Sequence, residues 1–262
     1  METKLFILLF FVAGISFSQE IKTEFISKIP LHADTFIGVD ELGHLYYTKD
    51  NILYKKRDSD TINYSNVSLG KITSVNIQNP FKIIVFYKDF NSIILLDNNL
   101  NELTNKIDLT RETLFNNVQF VSISSENNLW LFSDDTKLHL YDYKNHSIKV
   151  QTQPLNFYQT YFHPKTIKST YKNVWLLSTH GVIQFNEYGN YIQFIDIESI
   201  TDIFPSKKGF IYLKNNLFFF WKNKRSVPIS LNYTQIIRNV DINHYSVNIF
   251  DGKDIYQYRL NY

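Results

Sequence analysis

The chain has 262 residues, no cysteine, and 27 basic against 25 acidic residues, for a formal net charge of +2. That balance implies no strongly electrostatic partner and argues against nucleic acid as a ligand, and without cysteine there is no disulfide framework. Stability must come from an ordinary core, for which 22 Phe, 18 Tyr and 3 Trp supply large apolar surfaces.

The first segment reads as a targeting signal. Lys4 precedes an unbroken apolar run from Leu5 to Ala13, and Ser16-Phe17-Ser18 before Gln19 has the small-x-small pattern that signal peptidase cuts. The run is shorter than the ~20 apolar residues a membrane helix needs, and no cysteine follows it to carry a lipid. Residues 1–18 are therefore expected to be a cleaved leader, and residues 19–262 one exported domain without a membrane anchor.

Ile21-Lys22-Thr23-Glu24-Phe25-Ile26 alternates in polarity as a strand does. Four strands are predicted next, from Thr35 to Asp40, His44 to Thr48, Ile52 to Lys56 and Thr61 to Tyr64, with Glu41-Leu42-Gly43 and Lys49-Asp50-Asn51 as turns. The central pair of this group then recurs: an apolar strand, a small turn, and a second strand carrying aromatics. It returns at Ile83 to Phe86 with Ile93 to Leu96, at Leu129 to Phe132 with Leu138 to Tyr141, and within Val174 to Asn186. Two more pairs are Phe210 to Leu213 with Leu217 to Phe220, and Tyr245 to Ile249 with Ile255 to Tyr258. The basic clusters Lys55-Lys56-Arg57 and Lys222-Asn223-Lys224-Arg225 each follow an apolar strand and read as solvated strand ends.

Taking Tyr46, Ile84, Trp130, Trp175, Ile211 and Val247 as equivalent points, the spacings are 38, 46, 45, 36 and 36 residues. Periods of this size, averaging about 40 residues, mark four-stranded blades. The fold class is therefore all-β, a β-propeller of six four-stranded blades. The last blade runs through Ile236 to Ile242, Tyr245 to Phe250 and Asp254 to Leu260, and has no fourth strand of its own. The N-terminal strand is expected to supply it and close the ring, which covers an edge that would otherwise invite aggregation.

Two connections are longer than the rest. Asn105 to Asn117 carries Leu109, Leu114 and Phe115 at spacings that allow a short helix, and Gln151 to Pro164 carries the aromatic cluster Phe157-Tyr158-Gln159-Thr160-Tyr161-Phe162-His163-Pro164. Both lead from an outer strand to the next inner strand, so both emerge on the same face. Loops held by a rigid scaffold often carry recognition, and Tyr158, Tyr161 and Phe162 are the candidate partner-binding residues. The other reading of these rings is packing over the neighbouring blade.

The segment Val174 to Asn186 resembles the propeller repeat of the two-component-regulator type. Trp175, Gly181, Ile183, Phe185 and Asn186 match its sequence of residue types, while Thr179 sits one place late. Asn128-Leu129-Trp130 begins the pattern again, with Asp134-Asp135-Thr136-Lys137 in place of the glycine turn. This resemblance implies the propeller and carries no sensor-kinase function. The leader, the Ser18-Gln19 cleavage point and the Asn-, Lys-, Ile- and Tyr-rich composition are similar to exported proteins of the Bacteroidota. In size, leader and lack of an anchor the chain is also similar to the propeller-like plug proteins of type 9 secretion translocons, which implies a protein partner at the inner side of the outer membrane.

Linear chemical motifs are missing. The histidines His32, His44, His139, His146, His163, His180 and His244 have no paired metal spacing. Asp58-Ser59-Asp60 and Asp134-Asp135 continue into no calcium loop and read as turn residues. Neither a nucleophile elbow nor a phosphate or dinucleotide loop occurs. The sequence therefore predicts no catalytic residue, no cofactor and no metal. It points to a non-enzymatic, protein-binding propeller in the periplasm, a subunit or plug of an envelope secretion complex. The alternative is a glycan-binding or glycan-processing propeller. Tyr256 to Tyr262 alternates like the last strand of an outer-membrane barrel, but most strands here are shorter than the ~9 to 11 residues a membrane barrel needs.

Overall fold

The structure is a computed structural model that describes residues 20–113, 115–125, 128–206, 209–243 and 246–261. The expected leader, Leu114 and His244 lie outside the described residues.

The described chain is almost entirely β. It opens with β1 (Ile21–Pro30). A four-stranded sheet follows, made of β2 (Thr35–Val39), β3 (Leu45–Lys49), β4 (Ile52–Arg57) and β5 (Asp60–Tyr64). The second sheet holds β6 (Ser74–Asn76), β7 (Ile83–Tyr87), β8 (Ser92–Leu96) and β9 (Ile107–Asp108), and the helix α1 (Leu109–Thr113) comes after it. β10 (Val118–Ile123), β11 (Asn128–Ser133), β12 (Leu138–Asp142) and β13 (Ser147–Gln151) form the third sheet, followed by the single turn α2 (Leu155–Tyr158). The fourth contains β14 (Thr166–Ser169), β15 (Asn173–Ser178), β16 (Gly181–Asn186) and β17 (Tyr191–Asp196).

An eight-stranded sheet completes the structure. One half is β18 (Ile200–Ser206), β19 (Gly209–Lys214), β20 (Leu217–Lys222) and β21 (Arg225–Ser230); the other is β22 (Asn239–Ile242), β23 (Ser246–Phe250), β24 (Asp254–Asn261) and β1. β1 runs antiparallel to β24, from Lys22 opposite Asn261 to Pro30 opposite Asp254, with a bulge between Phe25 and Ser27. Its first two residues also pair in parallel with Ile229 and Ser230, which joins the halves. The fourth strand of the last group is thus the N-terminal strand, as the sequence predicts.

The second strand of each group after the first is buried on both faces, because neighbouring sheets pack against either side. In β11, Leu129 and Leu131 meet the second sheet, whereas Trp130 and Phe132 meet the fourth. Such strands therefore read as continuous apolar runs instead of alternating ones. Among the described residues the core divides into six apolar clusters, each between two neighbouring four-stranded groups. Two-residue hairpins of the type I′ form need two successive residues at positive φ. Asp50-Asn51 (52° and 61°), Asn215-Asn216 (51° and 61°) and Asn223-Lys224 (51° and 60°) provide it.

Some boundaries differ from the sequence reading, and β1 runs past Ile26 to Pro30. Ile107 and Asp108 belong to an outer strand, opposite Ile93 and Ser92, because Ile107 is drawn into the core between the second and third sheets. Ile236 to Arg238 do not extend β22; Ile236 is 76% exposed in the connection before it.

Candidate functional site

Both long connections lead from an outer strand to the next inner one, and each is pinned to the sheet it leaves. Asn91 anchors the first. Its carbonyl oxygen accepts from Leu109 N–H at 3.0 Å, its Nδ2 donates to Thr110 Oγ1 at 2.9 Å and to the Phe115 carbonyl at 2.6 Å, and its Oδ1 accepts from Val118 N–H at 3.0 Å. The second is held where Leu155 N–H donates to the Thr136 carbonyl at 2.9 Å and Thr152 Oγ1 accepts from Leu138 N–H at 3.1 Å.

This second connection separates the three aromatic candidates. Tyr161 is 83% exposed and sits at a φ of 59°. Phe162 is 7% exposed and belongs to the core between the third and fourth sheets, edge-on to Phe194. That burial corrects its assignment to a free recognition surface: the gap between two sheets needs a large apolar side chain, and Phe162 fills it. Tyr158 is half-buried, stacked on Tyr191 at 4.9 Å and edge-on to Phe185 at 5.2 Å. Phe157, 73% exposed, stands beside it. The loop is thus a display built on Leu155 and Phe162, with Phe157 and Tyr161 outward.

The innermost strands carry a polar set that the sequence reading missed. Asp241 on β22 accepts from Val39 N–H of β2 at 3.0 Å through Oδ2, and Asn239 Oδ1 accepts from Phe36 N–H at 3.3 Å. These two side chains take the place of ladder hydrogen bonds between the first and last inner strands. The approach requires Gly38, since a Cβ there would lie 2.8 Å from Asp241 Cγ. Burial raises the Asp241 carboxyl to about 6, opposed by the hydrogen bonds from Val39 and Asn248 and by the charge of Lys168. Lys168 on β14 itself reaches Asp202 of β18 at 3.5 Å.

Other titratable clusters serve as structural joints. His139 is fully buried against the Phe115 ring and bonds through Nε2 to Asp135, 3.0 Å from Oδ2; burial lowers its pKa. Ser133 Oγ also donates to Asp135, at 2.6 Å. The carboxylate therefore lies between serine and histidine, whereas a nucleophilic triad needs the histidine in the middle. Glu112 of α1 accepts from Tyr141 and contacts His146 Nδ1 at 2.9 Å, tying α1 to the third sheet. Lys55, 4% exposed, donates to Asn98 and lies over the Tyr46 ring, and burial lowers its pKa. Among the described residues no group of three or more His, Asp or Glu is placed to hold a metal ion, and no helix is long and apolar enough to cross a membrane.

No protein-family model matches the chain, and no curated protein matches its sequence. Solved structures match in shape. The selenomethionine-substituted virginiamycin B lyase from Staphylococcus aureus superposes with a TM-score of 0.60 at 10% identity, over 91% of this chain and 100% of that one. BBS1N in complex with ARL6DN gives 0.58 at 9% identity, over 92% and 98%. The Pan2 WD40 domain of Neurospora crassa gives 0.54 at 9% identity, over 87% and 74%. At such identities the likeness establishes the fold, and the chain is a β-propeller.

Proposed function

We propose that this chain is an exported, non-enzymatic, protein-binding propeller, and that it acts in the periplasm as a subunit or plug of an envelope complex of the type 9 translocon kind, at the inner side of the outer membrane. Counting the eight-stranded sheet as two, it has six blades. The observation that carries the reading is the pinned loop, which holds Phe157 and Tyr161 out from a rigid ring. Preorganised aromatic anchors are the residues on which protein interfaces concentrate their energy. A propeller of the same shape, BBS1N, was solved with ARL6DN bound, which supports a protein partner here. The leader sequence supports export, and the resemblance to translocon plugs supports the complex.

The test is affinity capture of the tagged mature protein from envelope extracts, with parallel fractionation. A stoichiometric membrane-complex partner should be recovered, and the uncomplexed protein should appear in the soluble periplasmic fraction. Recovery only as a free monomer, or extraction only by detergent, would overturn the proposal.

A further inference from the structure

Between the fourth sheet and the β18–β21 half-sheet, the apolar core of Leu177, Val182, Ile195 and Ile203 gives way at one rim to an open cleft of about 340 Å³. That volume falls within the range of small-molecule sites. Strand alternation explains the change. Asn173, Trp175 and Leu177 share one side of β15, and Gln184 stands directly opposite Trp175 on one neighbour and Gln193 on the other. Three amides therefore line the wall at a rim where further apolar side chains would seal the interface. They are joined in a ladder: Gln193 Nε2 donates to Gln184 Oε1 at 2.8 Å, and Gln184 Nε2 donates to Asn173 Oδ1 at 3.0 Å. The facing wall is Trp221, stacked on Phe210 at 6.4 Å, followed by the Lys222-Asn223-Lys224 turn.

The two walls ask for one kind of ligand. Each carboxamide has two N–H donors and an acceptor oxygen, and the ladder uses one N–H of Gln193 and one of Gln184. The remaining donors and acceptors lie side by side, which suits vicinal hydroxyl groups that each donate and accept. The indole of Trp221, only partly covered by its neighbours, offers an apolar surface for the C–H face of a ring. Among the described residues neither Lys222 nor Lys224 makes an ion pair, and the cleft is lined by no carboxylate. We propose that this cleft binds a carboxylated sugar, with Asn173, Gln184 and Gln193 reading its hydroxyls, Trp221 its ring face, and Lys222 and Lys224 its carboxylate. The inference is independent of the protein-binding reading, which uses a different part of the molecule.

Titration calorimetry and tryptophan fluorescence on the mature protein, with digalacturonate, cellobiose and a Glu-Glu dipeptide as probes, test it. Digalacturonate should bind, more weakly as salt screens the lysines. Gln184→Leu should weaken it by roughly tenfold or more, and the double variant Lys222→Gln/Lys224→Gln should remove the preference over cellobiose, both at unchanged melting temperature. Gln193→Leu serves in place of Gln184→Leu should that variant fail to fold. The proposal is overturned by absence of saturable digalacturonate binding at millimolar concentration, by equal binding of Glu-Glu, or by affinity indifferent to these substitutions.

Discussion

Asp241 does with one side chain what a sheet ladder does elsewhere: it accepts a backbone N–H from the first inner strand and so couples the two ends of the ring. The site makes its ionisation costly. Because burial raises its carboxyl to about 6, the native state keeps a proton that the unfolded chain has already released. The stability from this group is complete below the ordinary carboxylate range and is lost as pH rises through about 6. Asp142 has the opposite sign, since Lys149 at 2.8 Å and the amides of its own turn hold it well below that range, and its contribution disappears on acidification. Comparing wild type with Asp241→Asn cancels Asp142 and every other group. The melting temperature of wild type should fall relative to the variant between about pH 4 and pH 7, with the two curves meeting at the acid end. Parallel curves across that interval would show that Asp241 titrates as an ordinary surface carboxylate.

At the scale of elements, the connection containing α2 has a buried base and an exposed rim, and the two respond differently to the same substitution. Phe162→Ser empties a site in the core between two sheets and should cost roughly 3–5 kcal/mol, as large-to-small changes do. Tyr161→Ser removes an exposed ring and should stay within about 0.5 kcal/mol of wild type. Denaturant midpoints at an unchanged slope measure both; similar losses in the two variants would show that Tyr161 also packs. The sequence does not separate these neighbours. Which ring turns inward depends on the gap between sheets, and an aromatic run without a period carries no record of that gap. The strand pairs are legible because burial on both faces writes them as apolar runs ended by Asn, Asp and Gly, and in the first sheet the predicted strands agree with the observed ones to within a residue or so. The amides of the cleft are not. Gln184 and Gln193 look like separate surface residues until the register places them side by side. Asp241 and Gly38 meet only when the first and last groups come together.

For the whole molecule, closure of the ring rests on two distinct attachments. The inner one is the pair of bonds from Phe36 and Val39 to Asn239 and Asp241. The outer one is β1, which pairs with β24 and is reinforced by Lys28 with Asp254 at 3.0 Å, Ser27 Oγ donating to Gln257 Oε1 at 2.7 Å, and Phe25 edge-on to Tyr258. Deleting residues Ile21 to Ile26 removes the pairings of Lys22, Thr23, Glu24 and Phe25 with β24, together with the short parallel link to β21, and leaves the inner attachment in place. It also bares the β24 edge from Tyr258 to Asn261 and takes Ile21 out of the core it shares with Leu260 and Ile229. An uncovered strand edge beside apolar residues is a template for pairing between chains. The deletion should therefore produce aggregation, or unfolding that is no longer a single cooperative transition, because the outer attachment is then reduced to the pairing of Ser27 to Pro30 with β24. Size-exclusion chromatography and denaturant unfolding followed by two probes read these outcomes. A monomer that unfolds as wild type does would mean that the inner bonds and the pairing of Ser27 to Pro30 suffice to close the ring, and residues 21–26 would then be a cover on the last sheet and no part of its closure.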